Sequence, residues 1–543
     1  MHTSSYPPSC VPAVPAAPSH LLRWLLVAAL LAVLAGCATP PEAVRRIVYG
    51  LTLQPSGFDP HIHASSELGI PLRSVYDTLV YRDPDTGAFI PGLAESWEIS
   101  ADERTYTFRL KTGVVFHDGT AFDAAAVGAN LDRITAPETA SQRAAFMLGP
   151  YEGYDVIDAH TVRIRLSAPY APLLDSLSQV YLGMASPVAF SQYTPETYQF
   201  HQIGTGPFRF SEYIPGDRLV LRRNPAYTWG PAFYGPAPAS SVDEIEFRFF
   251  TDPAGRALAL ESGDAQVMGE LPPLDARALS SDPTLSIVPV PIAGQPLQFL
   301  MNTRIFPTDD VRMRRALLYG TNRESIADVV FGQFSPVAWS ALSAPTQFYD
   351  GSLQGSYLYD LSGAQSLLSE AGFEDTNNDG LRDVSGADIT LRVLVPPWGL
   401  IPEVSQLLAD GWRQLGIATE LVTVPTRSAL FEAIDAGDYH LVAWYEFGRD
   451  PAFLSRYFTS TGVNAWTGFA SPDLDTLLTQ AETSLDPVAR GALYAQAQRI
   501  ILDQALILPI REYVNLNGAR GVTGLRYDAY GWFPLLWDLA LAG

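Results

Sequence analysis

The sequence predicts an α/β chain of several lobes behind an exported leader. Three observations carry this. The chain is 543 residues long, several times the usual single-domain length. Short segments with apolar residues at every second position recur along it, and segments with apolar residues at helical spacing lie between them. Hydrophobic residues make up 47% and charged residues 17%, so the chain has the apolar content for a large core rather than the polar signature of disorder.

Residues 1–36 read as a signal peptide. A Pro-rich lead with His20 and Arg23 brackets the start of an apolar stretch over 21–36. That stretch is shorter than the roughly 20 apolar residues a membrane-spanning helix needs. It ends in Leu34-Ala35-Gly36-Cys37, small residues and then a thiol, followed by an Ala-Thr-Pro-Pro tether within 37–44. This resembles the lipobox of bacterial lipoproteins. The resemblance implies lipidation: Cys37 is diacylated and becomes the first mature residue, and two acyl chains anchor stably where one does not. The other cysteine is Cys10, so the body has neither a disulfide framework nor a thiolate metal site.

In the body, Arg104–Leu110, Thr161–Leu166 and Ile389–Leu394 alternate as half-buried strands. Phe122–Ile134 and Val311–Phe331 have helical spacing, the second behind an Asp309-Asp310 start signal. Leu361–Ala371 and Pro402–Leu415 read as helices closed by Gly372 and Gly416. Trp229–Ser241 is a Pro/Gly/Ser-rich loop, and Pro291–Gln295 suits a lobe boundary.

Composition excludes several functions. A net charge of −23 repels phosphate backbones, so nucleic acid is not an expected partner. The single lysine, Lys111, removes Schiff-base chemistry and P-loop nucleotide hydrolysis, and the residue three before it is Phe108, so an S-x-x-K acylating serine is absent too. No H-E-x-x-H or G-x-S-x-G motif occurs. Two metal candidates remain. His61-Ile-His63 puts two imidazoles on one side of an extended segment, and Asp375–Gly386 matches the first half of a calcium loop with glycine where the twelfth-position glutamate belongs. A structural pair and a polar β-turn are the simpler accounts. No catalytic residue, metal or cofactor is expected.

The block Ile90–Asp123 (IPGLAESWEISADERTYTFRLKTGVVFHDGTAFD) is followed in order by further motifs. They are Gly204-Thr-Gly-Pro-Phe208, Arg222-Arg-Asn-Pro-Ala-Tyr227, Met301-Asn-Thr303, Asp310–Ala316 and Asp450-Pro451; Phe58-Asp-Pro-His61 precedes them. From about Val48 to the C-terminus the chain resembles the family 5 extracellular solute-binding proteins, the oligopeptide, dipeptide and nickel receptors of ABC importers. The resemblance implies a periplasmic-binding-protein-like type II fold: α/β, two lobes with mixed sheets and a hinge, plus an extra α/β domain. Lobe I would comprise 45–77, 202–293 and 507–543, the extra domain 78–201 and lobe II 294–506. It also implies a monomer that closes on a small solute and hands it to a permease with its ATPase subunits, lipid-anchored on the outer side of the cytoplasmic membrane, facing periplasm or exterior.

His440–Pro451 is an apolar strand that opens into aromatics, charges and a Gly turn, where small-ligand contacts usually sit. In peptide-binding relatives an aspartate three residues after the tryptophan pairs with the ligand's α-ammonium; here that position is Phe447. Glu446 would substitute only if a bulge turned it inward. Asp450 reads as a helix cap. Trp398, Trp444, Tyr445, Glu446, Phe447 and Trp466 are the candidate cleft wall, and Gly206 a close backbone approach beside it. Peptide is the expected ligand class. A metal chelate or an oligosaccharide is the alternative solute, and a secreted hydrolase the reading from a different class.

Overall fold

Arg46–Leu51 forms a strand with both neighbours parallel, and its buried alternation places it at the middle of a seven-stranded sheet. The computed structural model describes residues 44–236 and 241–542. Cys10, Cys37, the leader 1–36 and residues 37–43 of the tether lie outside the described residues. The seven-stranded sheet runs Leu285–Pro291, Val514–Arg520, Val267–Met268, Arg46–Leu51, Glu244–Phe249, Arg218–Arg223, Phe208–Ile214. Apart from the two parallel pairs around Arg46–Leu51, its strands pair antiparallel. Pro253–Ser262 and Pro273–Leu279 pack on it through Leu260, Ala276 and Leu279. The first of these helices has Asp252 capping Ala254 N–H, proline at its first turn and Gly263 in the left-handed region at its end.

A five-stranded sheet runs Ala418–Thr423, Thr390–Val395, Leu441–Trp444, Leu297–Met301, Ile507–Arg511. The first three strands are mutually parallel, connected through the helices Ile401–Arg413 and Arg427–Ala436, as parallel pairing requires. Ile401–Arg413 buries Ile401, Val404, Leu408 and Trp412, and the Trp412 indole N–H donates to Thr321 Oγ1 at 3.0 Å. Ile507–Arg511, which the sequence reading puts in the first lobe, instead pairs antiparallel with Leu297–Met301. The chain rejoins the first sheet only at Val514, because Ile507–Arg511 is buried along its whole length and needs a partner on this side.

An antiparallel four-stranded sheet, Ala94–Ile99, Thr105–Leu110, Thr161–Leu166, Tyr151–Asp158, is covered by helix Ala124–Thr135. Its Val127, Leu131 and Ile134 share a core with Tyr106, Phe108, Val162 and Ile164. Val311–Phe331 is two helices, not one. The first ends at Tyr319, and Asn322 caps the second, Arg323–Phe331, through Ser325 N–H; Gly320 and Thr321 break the helical run between them. Among the described residues no helix is long and apolar enough to cross a membrane.

Candidate ligand-binding cleft

The two larger sheets are joined where the chain crosses between them, at 291–297 and 511–514. Ile292 N–H donates to Tyr513 O at 2.9 Å, tying the crossings together. Beyond Trp444 the chain leaves its sheet and runs along the first crossing. Gln295 N–H donates to Glu446 O at 2.7 Å and Gly448 N–H to Ala293 O at 3.0 Å. Gly294 sits at φ 140°, and a Cβ there would stand 2.0 Å from Glu446 O, so only glycine lets the segments meet.

Strand alternation then divides the sequence-predicted residues into two sets. Trp444 and Glu446 share one side. Trp444 is 5% exposed, packs edge-on against Trp466 with centroids 4.8 Å apart and donates its indole N–H to Tyr457 Oη at 2.8 Å. Tyr457 Oη in turn donates to Glu446 Oε2 at 2.5 Å, and Arg456 pairs with Glu446 Oε1 at 3.5 Å. Glu446 is therefore held by a phenol and a guanidinium. Trp398, half-buried, packs against both cores of the five-stranded unit.

Tyr445 and Phe447 face the other way and stack on each other at 5.2 Å. Across from them stand Tyr513, in the second crossing, and Trp532, both buried in the core that includes the seven-stranded sheet's Ile47, Tyr49 and Phe247. Phe447 stacks on Trp532 at 5.1 Å and meets Tyr513 edge-on at 4.9 Å; Tyr445 lies 5.3 Å from Tyr513. The Arg511 guanidinium lies over the Tyr513 and Phe331 rings at 4.2 and 4.1 Å. Burial pulls its pKa down, and the phenols of Tyr513 and Tyr445 push it back up.

Behind this aromatic wall, past the carboxyl ends of the parallel strands Arg46–Leu51 and Val267–Met268, is a cavity of about 10 Å³. Carboxyl ends of parallel strands are where open α/β sheets bind ligands. Thr52, Glu67, Glu270, Asn515, Asn517 and Trp532 contribute to its lining. Both glutamates converge on Thr52: its N–H donates to Glu67 Oε2 at 3.2 Å and its hydroxyl to Glu270 Oε2. Tyr513 Oη donates to Glu270 Oε1 at 3.1 Å. Burial, then the Glu270 charge, push the Glu67 carboxyl up to about 8.

The structure thus joins Tyr445 and Phe447 to Tyr513 and Trp532, and keeps Trp444, Trp466 and Glu446 together on the opposite side. Gly206 belongs to neither set. Its Cβ position is 2.4 Å from Ser74 O, and its carbonyl accepts from His117 Nε2 and Asn224 Nδ2, so it joins the Gly204–Phe208 motif to neighbouring backbone. Asp450 caps Ala452 N–H as expected and also forms a buried pair with Arg490 at 2.9 Å. His61 is wholly buried between Gly183 O and the Arg133 guanidinium, while His63 contacts Ser56 Oγ. In Asp375–Gly386, Asp375 accepts from Gly380 N–H and Asp383 holds Thr376 and Gly386, the bonding of a closed polar turn. Among the described residues no group of three or more His, Cys, Asp or Glu side chains is arranged to hold a metal. Sequence reasoning missed Glu67, Glu270, Tyr513 and Trp532. The available signal was a polar residue at the end of each of two short strands, Thr52 directly after Leu51 and Glu270 two residues after Met268.

The family model described as bacterial extracellular solute-binding proteins, family 5 Middle, matches residues 88–465. The glutathione-binding protein GsiB of Pectobacterium atrosepticum is 27% identical over 515 residues, covering 92% of this chain and 95% of its own length. The dipeptide-binding protein of Escherichia coli is 28% identical over 503 residues, covering 86% and 89%. Among solved structures, NikA from Brucella suis in complex with Fe(III)-EDTA superposes with a TM-score of 0.81 at 23% identity, over 91% of this chain and 99% of that one.

Proposed function

Because the chain belongs to the family 5 bacterial extracellular solute-binding proteins, we propose that its solute is a peptide-type molecule held between the Tyr445–Phe447 pair and the Tyr513–Trp532 pair. The protein is the solute-binding component of an ABC import system and captures its ligand between two lobes without chemical conversion. The observation that carries the site is the meeting of four aromatic rings at the strand crossings. Rings presented from both sides cover a solute's apolar parts when the lobes hinge shut. Peptide-type chemistry is favoured because the relatives of 27% and 28% identity are named for glutathione and for dipeptides, both of which carry an α-ammonium and at least one carboxylate.

A second reading, a non-peptide solute such as a metal chelate or an oligosaccharide, is favoured by one observation. Phe447 offers no carboxylate, and Glu446 is already bonded by Tyr457 and Arg456. Incubation with di- and tripeptides decides: a saturable rise in Tm with the peptide recovered unaltered supports the first reading. Chemically altered peptide refutes a receptor of either kind, and no rise with any peptide leaves the second.

We further propose that Cys37 is lipidated and that the monomeric receptor works tethered to the outer side of the cytoplasmic membrane, beside a permease and its ATPase. Tethering raises its effective concentration at the transporter. The support is the run of small residues ending at Cys37 behind an apolar stretch. Cys37→Ser should move the protein from the membrane to the soluble fraction; an unchanged distribution refutes the anchor.

A further inference from the structure

We propose that the cavity lined by Glu67, Glu270, Asn517 and Trp532 is a subsite for the primary ammonium of an N-terminal amino-acyl group, supplying the anchor that Phe447 cannot. The inference rests on the solute-binding reading above and adds the chemistry of the recognised group.

Two carboxylates alone would not make a site. Two further side chains, each more than nine-tenths buried, leave polar atoms without partners here. Asn517 is 0% exposed. Its amide nitrogen donates to Asn515 O at 3.3 Å and Val288 O at 3.5 Å, but its Oδ1 has no donor. Trp532 is 6% exposed, and its indole N–H has no acceptor. An unsatisfied buried polar atom costs about 1–3 kcal/mol; both side chains line the same cavity, and Asn517 Oδ1 stands 3.6 Å from the Cβ position of Gly269, which also lines it.

The chemistry of the recognised group follows from the donors and acceptors. Glu67, Glu270 and Asn517 Oδ1 offer acceptors on three residues, matching the three donors of an ammonium. The indole N–H is a donor, placed to take a carbonyl oxygen next to that ammonium. At about 10 Å³ the cavity has room for one water-sized group, and the rest of the solute would extend toward the aromatic wall. Arg256, whose charge reaches Glu67, does not fill the role: it spends its N–H groups on the carbonyls of Phe250, Thr251 and Glu270. Burial and the Glu270 charge favour a neutral Glu67, and an ammonium beside it would favour its ionised form.

The test uses full-length protein stripped of bound solute and a tryptic hydrolysate of casein, either native or with its amines acetylated. After gel filtration, peptides retained by the protein are counted by native mass spectrometry. The inference predicts retention of the native hydrolysate and at least tenfold less of the acetylated one. Equal retention overturns the ammonium subsite and leaves solute capture standing; retention of neither overturns the peptide reading and the subsite with it. Glu270→Gln and Asn517→Leu, checked for wild-type unfolding in urea, should lose the preference for free amines. A folded variant that keeps the full preference overturns the assignment, and the wild-type contrast stands whether or not the variants fold.

Discussion

Replacing Glu67 with glutamine isolates the cost of burying a carboxyl at the cavity. Glu67 is 1% exposed and its carboxyl is pushed up to about 8 from an ordinary 4.5, first by burial and then by Glu270. Thr52 and Leu53 N–H groups and the Arg256 charge oppose the rise. The carboxyls of Glu512 and Asp528 are also raised, to about 7 and 6, whereas His61 and His117 are lowered to about 4. The pH profile of the wild type therefore mixes opposite slopes, and the difference between variant and wild type removes them. Above pH 4.5 the unfolded chain releases the Glu67 proton while the folded chain keeps it up to about pH 8. Folding then requires proton uptake, and stability falls as pH rises through that window by up to about 1.4 kcal/mol per unit. A neutral glutamine is free of this loss. The gain of Glu67→Gln over wild type should grow by about 2–3 kcal/mol between pH 5 and pH 7 and level off above pH 8. Urea unfolding of both proteins at half-unit intervals measures it. A difference that is flat across this range, or that shrinks with rising pH, would refute the argument.

Other outcomes follow from the same geometry. Phe447→Ala removes one ring of the proposed wall together with its contacts to Tyr445, Tyr513 and Trp532; at about 0.5–1.5 kcal/mol for one aromatic contact, loss of that ring from the solute should weaken binding by roughly 2- to 13-fold, read by calorimetry, and the lost ring pairs should lower urea stability in addition. Asp450→Asn strands the buried Arg490 guanidinium, which still contacts Ala481 O, and should cost about 3–5 kcal/mol in urea unfolding; a loss under 1 kcal/mol would show that the pair is not desolvated. Gly294→Ala puts a Cβ 2.0 Å from Glu446 O and should abolish binding or folding, and a variant that binds with wild-type affinity would show that the crossings do not depend on that contact.

The fold was legible where the sequence alternates or repeats at helical spacing. Thr161–Leu166 and Leu361–Glu370 lie where pattern puts them, because each buries one face and the period records which. The break at Gly320 was hidden, since the apolar spacing continues across it while the Asn322 cap restarts the helix. The allocation of Ile507–Arg511 was hidden too: a strand buried on both faces has no alternation to say which sheet it joins. At the site, the aromatic segment after Trp444 stands out in sequence, but its partition into two faces depends on where the chain leaves the sheet. Glu67 and Glu270 are some 200 positions apart and meet only because Thr52 ends one parallel strand beside another. Nothing local in either glutamate's neighbourhood records that meeting.

The central claim is capture of an unaltered solute between two lobes, and protein purified without denaturation tests it most directly. Native mass spectrometry of such protein should show a small molecule bound one to one, released on denaturation with the mass it has in the medium, and depleted from Phe447→Ala prepared in parallel. A bound species that is chemically converted, or one whose occupancy is indifferent to Phe447, would contradict the account.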